Sequence, residues 1–320
     1  MLEYLPKRRR VSGLRIESRK ADSTRNTIAE DFIPEQLFIP VEKHHGIEPE
    51  ITVRAGQQVL RGETLAQGAP GSGIADVHAS SSGRVRDITT LDIHTANGPR
   101  QLRCIVIDTD GRDTPIDVSG MQDRSADPDA SKARIEDIRR SGVVGLGGAA
   151  VSTSWKLTRT DAVPTLIING AECEPYISCD DMLMREQAAE ILAGSLELCD
   201  LLGAEQCIVA IERDKPQAIT AIRDAAAQFE DSRLHLAELP SIYPAGGERQ
   251  LVELLIDAEV PAGSYPADIG IICQNVGTAR AVHLALTNHQ PLINRVVTLT
   301  GSGLAEPQNV YARIGTLISD

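Results

Sequence analysis

Two stretches of this chain carry residue types and spacings suited to holding a nucleotide or a flavin. Gly145-Leu146-Gly147-Gly148-Ala149-Ala150 places three glycines in four positions, so a backbone without Cβ atoms can come close to a flat or anionic ligand. About twenty residues later, Leu166-Ile167-Ile168-Asn169-Gly170-Ala171-Glu172-Cys173-Glu174-Pro175 reads as a buried strand ending in an amide and two carboxylates. In an open α/β sheet the carboxyl end of a strand is where ligands bind. Asn169 suits the edge of a heterocycle, while Glu172 and Glu174 can accept from ribose hydroxyls or an amide. Beyond the glycines, Ser152-Thr153 suits the cap of a short helix bearing Lys156, and a helix N-terminus beside a lysine suits a phosphate. Two further turns open helices: Tyr243-Pro244-Ala245-Gly246-Gly247-Glu248-Arg249 and Gln274-Asn275-Val276-Gly277-Thr278. Taken singly, each motif also fits a plain tight turn or a capped acidic loop. Cys173 and Cys179 have a spacing that fits no common metal site, and His44-His45 before Gly46 reads as a polar turn.

The elements that must position these residues alternate along the chain. Strands at 164–169, 207–211, 234–239 and 269–273 precede helices near 180–202, 216–229, 247–257 and 277–288. Ser178 or Asp180 is the expected cap of the first helix. Such alternation predicts a doubly wound, mainly parallel α/β domain over 135–295. Residues 36–110 instead show short strands and frequent turn signals, which predict a small all-β module. Its halves 51–65 and 75–89 resemble biotinyl and lipoyl carrier sandwiches, a barrel-sandwich hybrid. A carrier needs a lysine at the hairpin tip, however, and the tip here is Ala79-Ser80-Ser81-Ser82-Gly83. Residues 111–134 read as a polar linker, and 296–320 as the start of another β domain.

Composition narrows the class. The 320 residues are 42% hydrophobic and 24% charged, as in ordinary globular proteins. A net charge of −13 and only 3% aromatics argue against nucleic acid as a partner. Eight cations among residues 1–25, including Lys7 to Arg10, stand against Glu3, Glu17 and Asp22, leaving that segment at +5 and the remainder at −18. A basic arm over 1–35 suits anionic lipid, an acidic partner or plain solvation. No apolar run has the length of a transmembrane helix, and no apolar segment follows Arg10 as in a secretory signal. The six cysteines show no CxxC spacing, so residues 1–320 hold no ligand set for a ferredoxin-type cluster.

Taken in order, Gly145-Leu-Gly-Gly-Ala, Asn169-Gly-Ala-Glu-Cys-Glu-Pro-Tyr, Tyr243-Pro-Ala-Gly-Gly-Glu-Arg-Gln-Leu and Asn275-Val-Gly-Thr-Ala resemble RnfC, the family of C subunits of the Rnf ion-translocating electron-transport complex. The N-terminal Pro40-Val-Glu-Lys-His-His-Gly signature shares that resemblance, and a more distant one runs to the flavin- and NADH-binding subunit of respiratory complex I. The resemblance implies FMN held by Gly145, Gly147, Gly148 and Lys156. It implies that Asn169, Gln274, Asn275 and Thr278 hold the ring or phosphate end. Tyr243, Gly246 and Glu248 would then form the opposite wall, with Glu172 in the same loop and Glu174 placing NADH. It further implies a peripheral place on the cytoplasmic face of the bacterial inner membrane, among the other members of the complex. The family continues through a β-grasp domain into a segment that binds 4Fe-4S clusters, so a chain stopping at Asp320 is expected to be a fragment. One departure stands at the glycine turn: the family's Gly-Phe-Pro-Thr is Ala150-Val151-Ser152-Thr153 here. Loss of the aromatic leaves a second expectation, a non-catalytic docking role with a degenerate flavin site, as in the related A-chain component of the sodium-pumping NADH:quinone reductase.

Overall fold

The computed structural model describes residues 2–4, 12–30, 32–42, 46–95, 98–119, 130–158 and 163–320. Lys7 to Arg10 of the basic arm and the His44-His45 pair lie outside these described residues. Strand β1 (Leu2–Glu3) belongs to the large sheet described below. Strands β2 (Gln36–Val41), β3 (Glu50–Ile51), β4 (Gln58–Val59), β5 (Thr64–Gln67), β6 (Val77–His78), β7 (Gly83–Thr95) and β8 (Gly98–Thr109) build two small antiparallel sheets. Their orders are β2-β8-β7-β4 and β3-β5-β6. The period-2 alternation of β2 sends Leu37, Ile39 and Val41 inward, where they meet Leu65, Val85, Ile105 and Ile107. The tip serines are buried rather than displayed. Ser80 donates to the Ile314 carbonyl (2.8 Å), Ser81 to Asp113 (2.9 Å) and Ser82 to Asp110 (2.7 Å). Residues 114–116 run along the same module, exchanging backbone hydrogen bonds with Arg61.

Helix α1 (Ser131–Arg140) opens the α/β domain and straddles the boundary expected at 134/135. The elements α2 (Thr153–Leu157), β9 (Thr165–Gly170), α3 (Cys179–Glu186), α4 (Ala188–Leu202), β10 (Gln206–Glu212), α5 (Pro216–Ala226) and β11 (Leu234–Leu239) follow. After them come α6 (Glu248–Ile256), a 3₁₀ turn (Pro266–Ile269), β12 (Ile271–Asn275) and α7 (Val276–Thr287). The sheet is parallel throughout, in the order β1-β11-β10-β9-β12. Leu166 and Ile168 of β9 pack beneath α3, α4, α5 and α7, whereas Ile167 points to the α6 side. All three are fully buried, as a strand covered on both faces requires. The helix expected over 180–202 is broken at Gln187, whose φ of −128° ends α3 and starts α4. Both halves pack on α5, and α4 also lies along α7. Gly194 makes the second contact close, since a Cβ there would sit 1.9 Å from the Ala279 carbonyl oxygen.

Strands β13 (Asn294–Leu299) and β14 (Gln308–Arg313) form an antiparallel hairpin beside the domain. Buried Arg139 ties α1 to the β module, donating to the carbonyls of Gly68 and Ile74 (both 3.0 Å) and to Asp76 (2.5 Å). Among the described residues no helix is long and apolar enough to cross a membrane.

The chain order sets the site. From β9 it winds outward through β10 to β11, then crosses back to lay β12 on the other side of β9. The crossover makes a switch point between β9 and β12, and the crevice outside their carboxyl ends is a ligand position. Asn169 and Asn275 stand opposite each other there, paired in register.

Candidate functional site at the sheet switch point

The glycine turn closes on itself as a small hairpin. Gly145 N–H donates to the Val151 carbonyl (2.8 Å), and Thr153 N–H donates to that of Val143 (3.1 Å). Gly147 to Ala150 form its exposed tip. Gly148 adopts φ +124°, a conformation that L residues rarely take, and nothing lies within 4 Å of a Cβ added there. The turn is pinned to α7: Leu146 N–H donates to buried Thr278 Oγ1 (2.9 Å), and the Leu146 carbonyl accepts from Arg295 (3.0 Å). A Cβ on Gly147 would come within 3.3 Å of Asn275 Cβ, so the tip sits directly over the start of α7. That 12-residue helix has no acidic residue in its own first turn, and its N-terminal dipole faces the turn.

The polar residues expected to touch a ligand converge here, but most are already bonded within the protein. Asn275 caps α7 through Oδ1 to Gly277 N–H (2.8 Å), while its amide donates to Asp180 (2.6 Å). Asn169 accepts from Ala171 N–H (3.1 Å) and donates to the Gly246 carbonyl (2.8 Å), clipping the 243–247 turn onto the end of β9. Gly246 belongs to that close approach, since a Cβ would meet Cys173 Sγ at 3.2 Å and Ala171 Cβ at 3.3 Å. Lys156 and Glu248, expected on opposite walls, form an ion pair (2.6 Å), and Lys156 also donates to the Cys273 carbonyl (2.5 Å). The short helix beneath Lys156 has Ser152 at its cap without a side-chain capping bond.

Glu172 is turned inward. Its carboxylate accepts from the N–H groups of Asp180 (2.7 Å) and Asp181 (3.3 Å), so it caps α3 in place of the expected Ser178 or Asp180 side chain. A carboxylate reaching back from the preceding loop satisfies the free amides of the helix start as well as a local serine would. Lys20 compensates it, with Nζ 3.5 Å from the carboxylate and 2.5 Å from the Glu172 carbonyl oxygen. Glu174 and Tyr176 point outward, while Tyr243 is 38% exposed across the cleft. Glu172 and Tyr176 hold φ values of +46° and +70°, costing on the order of 1 kcal/mol or more each.

Burial governs the electrostatics. It raises the Glu172 carboxyl, against the pull of Lys20. Asp180 is pushed up to about 7, chiefly by burial and then by the neighbouring Glu172 charge. Cys179 is raised by burial and then by Asp180. Glu172, Cys179 and Asp180 have ligand atoms within 4.8 Å of one another, but the Lys20 ammonium and the α3 amides already occupy the Glu172 oxygens. At the end of β10, fully buried Lys215 donates to Asp214 (2.9 Å) and Glu212 (3.2 Å). Burial alone would lower its pKa, yet the two acids hold the ammonium above its ordinary value. None of Lys20, Glu212 or Lys215 belongs to a motif that marks it in the sequence. The partner of Lys20 is 152 residues away, and Lys215, though its acids are near in sequence, is buried only by folding.

Two buried polar atoms at this edge remain without a hydrogen-bond partner among the described residues: Gln274 Nε2 and Thr153 Oγ1. Together with the open space at Gly148 and the α7 N-terminus, they fit an anionic, hydrogen-bonding cofactor such as FMN. A cavity lies beside this edge. It measures about 670 Å³ and runs between Arg61 and Ile116 of the β module, Arg280 and Leu284 of α7, and Leu292 to Val296. Its lining includes Leu146 of the glycine turn, Gly277 at the start of α7, and Asp180.

Two family profiles match the chain: "RnfC Barrel sandwich hybrid domain" over residues 9–112 and "Nuo51 FMN-binding domain" over residues 138–284. The C subunit of the ion-translocating oxidoreductase complex of Erwinia tasmaniensis is 44% identical over 291 residues, covering 90% of this chain and 35% of that protein. Its counterpart from Pseudomonas aeruginosa is 42% identical over 310 residues, covering 96% and 39%. The chain therefore spans well under half the length of these relatives. A crystal structure of NAD+-reducing [NiFe]-hydrogenase in the H2-reduced state aligns with a TM-score of 0.48 at 24% identity, over 58% of this chain and 37% of that one. With a barrel-sandwich hybrid followed by an FMN-binding α/β domain, this chain belongs to the RnfC family of ion-translocating oxidoreductase complexes over the part of the family's length that it spans.

Proposed function

We propose that this chain is the electron-input part of an ion-translocating oxidoreductase: it holds FMN at the switch-point crevice and admits NADH above it. The observation that carries the reading is the exposed glycine tip set over the N-terminus of α7, two residues before which Gln274 Nε2 is buried with no partner among the described residues. Gly145, Gly147 and Gly148 let the backbone meet the cofactor closely, and Gln274 supplies a desolvated donor. Thr278 and Asn275 act one step back, fixing the turn and the helix start. Bound FMN supplies the chemistry of accepting a hydride and releasing single electrons. The chain's own groups orient and desolvate, so no general acid or base is assigned. Glu174 and Tyr243, exposed on the two sides of the cleft, are the groups proposed to place the nicotinamide nucleotide.

In the whole protein, electrons would continue to 4Fe-4S clusters outside residues 1–320 and toward a ferredoxin-linked partner, on the cytoplasmic face of the bacterial inner membrane among the other members of the complex. A second reading, a docking role with a degenerate flavin site, draws on one observation: Lys156 is spent on Glu248 and the Cys273 carbonyl. Titrating the purified chain with FMN and with riboflavin separates the two. Stoichiometric FMN binding, tighter than riboflavin, supports a working site; absence of flavin binding at saturating concentration sinks it.

A further inference from the structure

We infer that residues 13–23 are a strap that ties the Tyr243 turn to the Glu172–Ile177 loop and fixes where Tyr243 and Glu174 stand, with Lys20 as the positioning residue. The inference rests on the reading of the cleft as a nicotinamide nucleotide site. This part of the basic arm thus packs on both segments. On one wall, Leu14 pairs with Tyr243 through two backbone hydrogen bonds, Leu14 N–H to the Tyr243 carbonyl (2.8 Å) and the reverse (2.9 Å). Gly13 permits this contact: a Cβ there would lie 2.3 Å from Ile242 Cγ2 and 2.6 Å from the Tyr243 carbonyl oxygen. On the other wall, Tyr176 N–H donates to the Ser18 carbonyl (2.7 Å).

Between Leu14 and Ser18 lie four residue steps, which reach at most about 14 Å when extended. Tyr243 and the Glu174–Tyr176 loop are therefore tethered through one short covalent span. Lys20 then clamps both ends of that loop, donating to the carbonyls of Glu172 (2.5 Å) and Ile177 (2.6 Å). Ser23 meets Ser178 (2.7 Å), and Asn309 of the β13–β14 hairpin holds both through the Ser23 carbonyl and the Ser178 hydroxyl (2.9 Å each). One ammonium thus spans a loop in which Glu172 and Tyr176 both take left-handed backbone conformations that L residues rarely adopt. The glycine turn, by contrast, is held by Thr278 and Arg295, away from residues 13–18, whereas Asn275 at the start of α7 is linked to Lys20 through Asp180 and Glu172. Perturbing residues 13–18 should consequently separate the two ligands.

The test uses the full chain with two variants, a two-glycine insertion between Arg15 and Ile16 and Lys20→Met. Dissociation constants for NADH and FMN are measured alongside amide hydrogen exchange at Tyr176 and Tyr243. The expected result is a rise in the NADH constant of about tenfold or more in both variants, with the FMN constant of the insertion variant changed less than about threefold. The Tyr176 and Tyr243 amides are expected to exchange about tenfold faster. Equal loss of both ligands in the insertion variant, or an NADH constant unchanged in both variants, overturns the inference. If the unaltered chain binds FMN but not NADH, the nucleotide reading fails, and the exchange rates alone judge the strap. Unchanged protection in the insertion variant would then overturn it.

Discussion

Replacing Thr278 by Val tests whether the glycine turn is held for the cofactor by one hydroxyl. Thr278 is fully buried and its Oγ1 accepts the Leu146 N–H at 2.9 Å, so a shape-matched Val keeps the packing and removes only the acceptor. The half-buried Leu146 amide is then left unpaired, at a cost of about 1–2 kcal/mol. Because the bond pins the turn to α7, that cost falls on the ordering of the turn, which FMN binding must then supply. At about 1.4 kcal/mol per factor of ten, FMN affinity should weaken by about 5- to 30-fold. Flavin fluorescence titration measures the constant, and urea unfolding checks that the domain remains folded. Thr278→Ser keeps the hydroxyl and should bind FMN almost as tightly as the unaltered chain. A Val variant that binds FMN within about twofold of the parent, or a Ser variant as damaged as Val, would refute the holding role of the hydroxyl.

Other expectations follow from the same geometry. Lys20→Met leaves the Glu172 carboxylate buried without its cation and should cost about 3–5 kcal/mol in urea unfolding, while Lys20→Met with Glu172→Gln should recover much of the loss; additive effects would contradict the pairing. Asp180 has a carboxyl raised from 3.8 to about 7, so the folded state holds its proton more tightly than the unfolded chain. The stability it confers is fully present below about pH 4, falls as pH rises toward 7, and is lost above. Asp180→Asn should flatten that part of the unfolding profile, and an unchanged profile would show that other groups govern it. Lys156→Ala is expected to weaken FMN more than riboflavin, because only FMN carries a phosphate; equal weakening of the two refutes a phosphate role for Lys156.

The chain's pattern was legible where local chemistry decides it. Val/Ile-rich strands alternating with helices predict the parallel sheet, and the glycine turn, Asn169, the 243–248 turn and Gln274-Asn275 do gather at one edge. What stayed hidden depends on contacts between residues far apart in sequence. Lys20 reads as one more cation in a basic arm, yet it lies buried against Glu172, 152 residues away. Helix α3 takes its cap from Glu172 rather than Ser178, because Ser178 is drawn aside to Ser23 and Asn309. The break at Gln187 is a local backbone turn, with φ −128°, inside a run whose apolar helical spacing continues across it, so the period does not reveal it. Lys156 and Glu248, read as separate walls, meet because α2 and the start of α6 converge on the end of β12.

The most direct test of electron input at this site is to load the chain with FMN, exclude oxygen, and add NADH while recording visible flavin absorbance. Bleaching is expected, with NADH consumed in stoichiometric proportion to bound FMN, since the hydride needs only the flavin as its acceptor. A chain that holds FMN stoichiometrically but keeps its full flavin spectrum under excess NADH would contradict the proposed function.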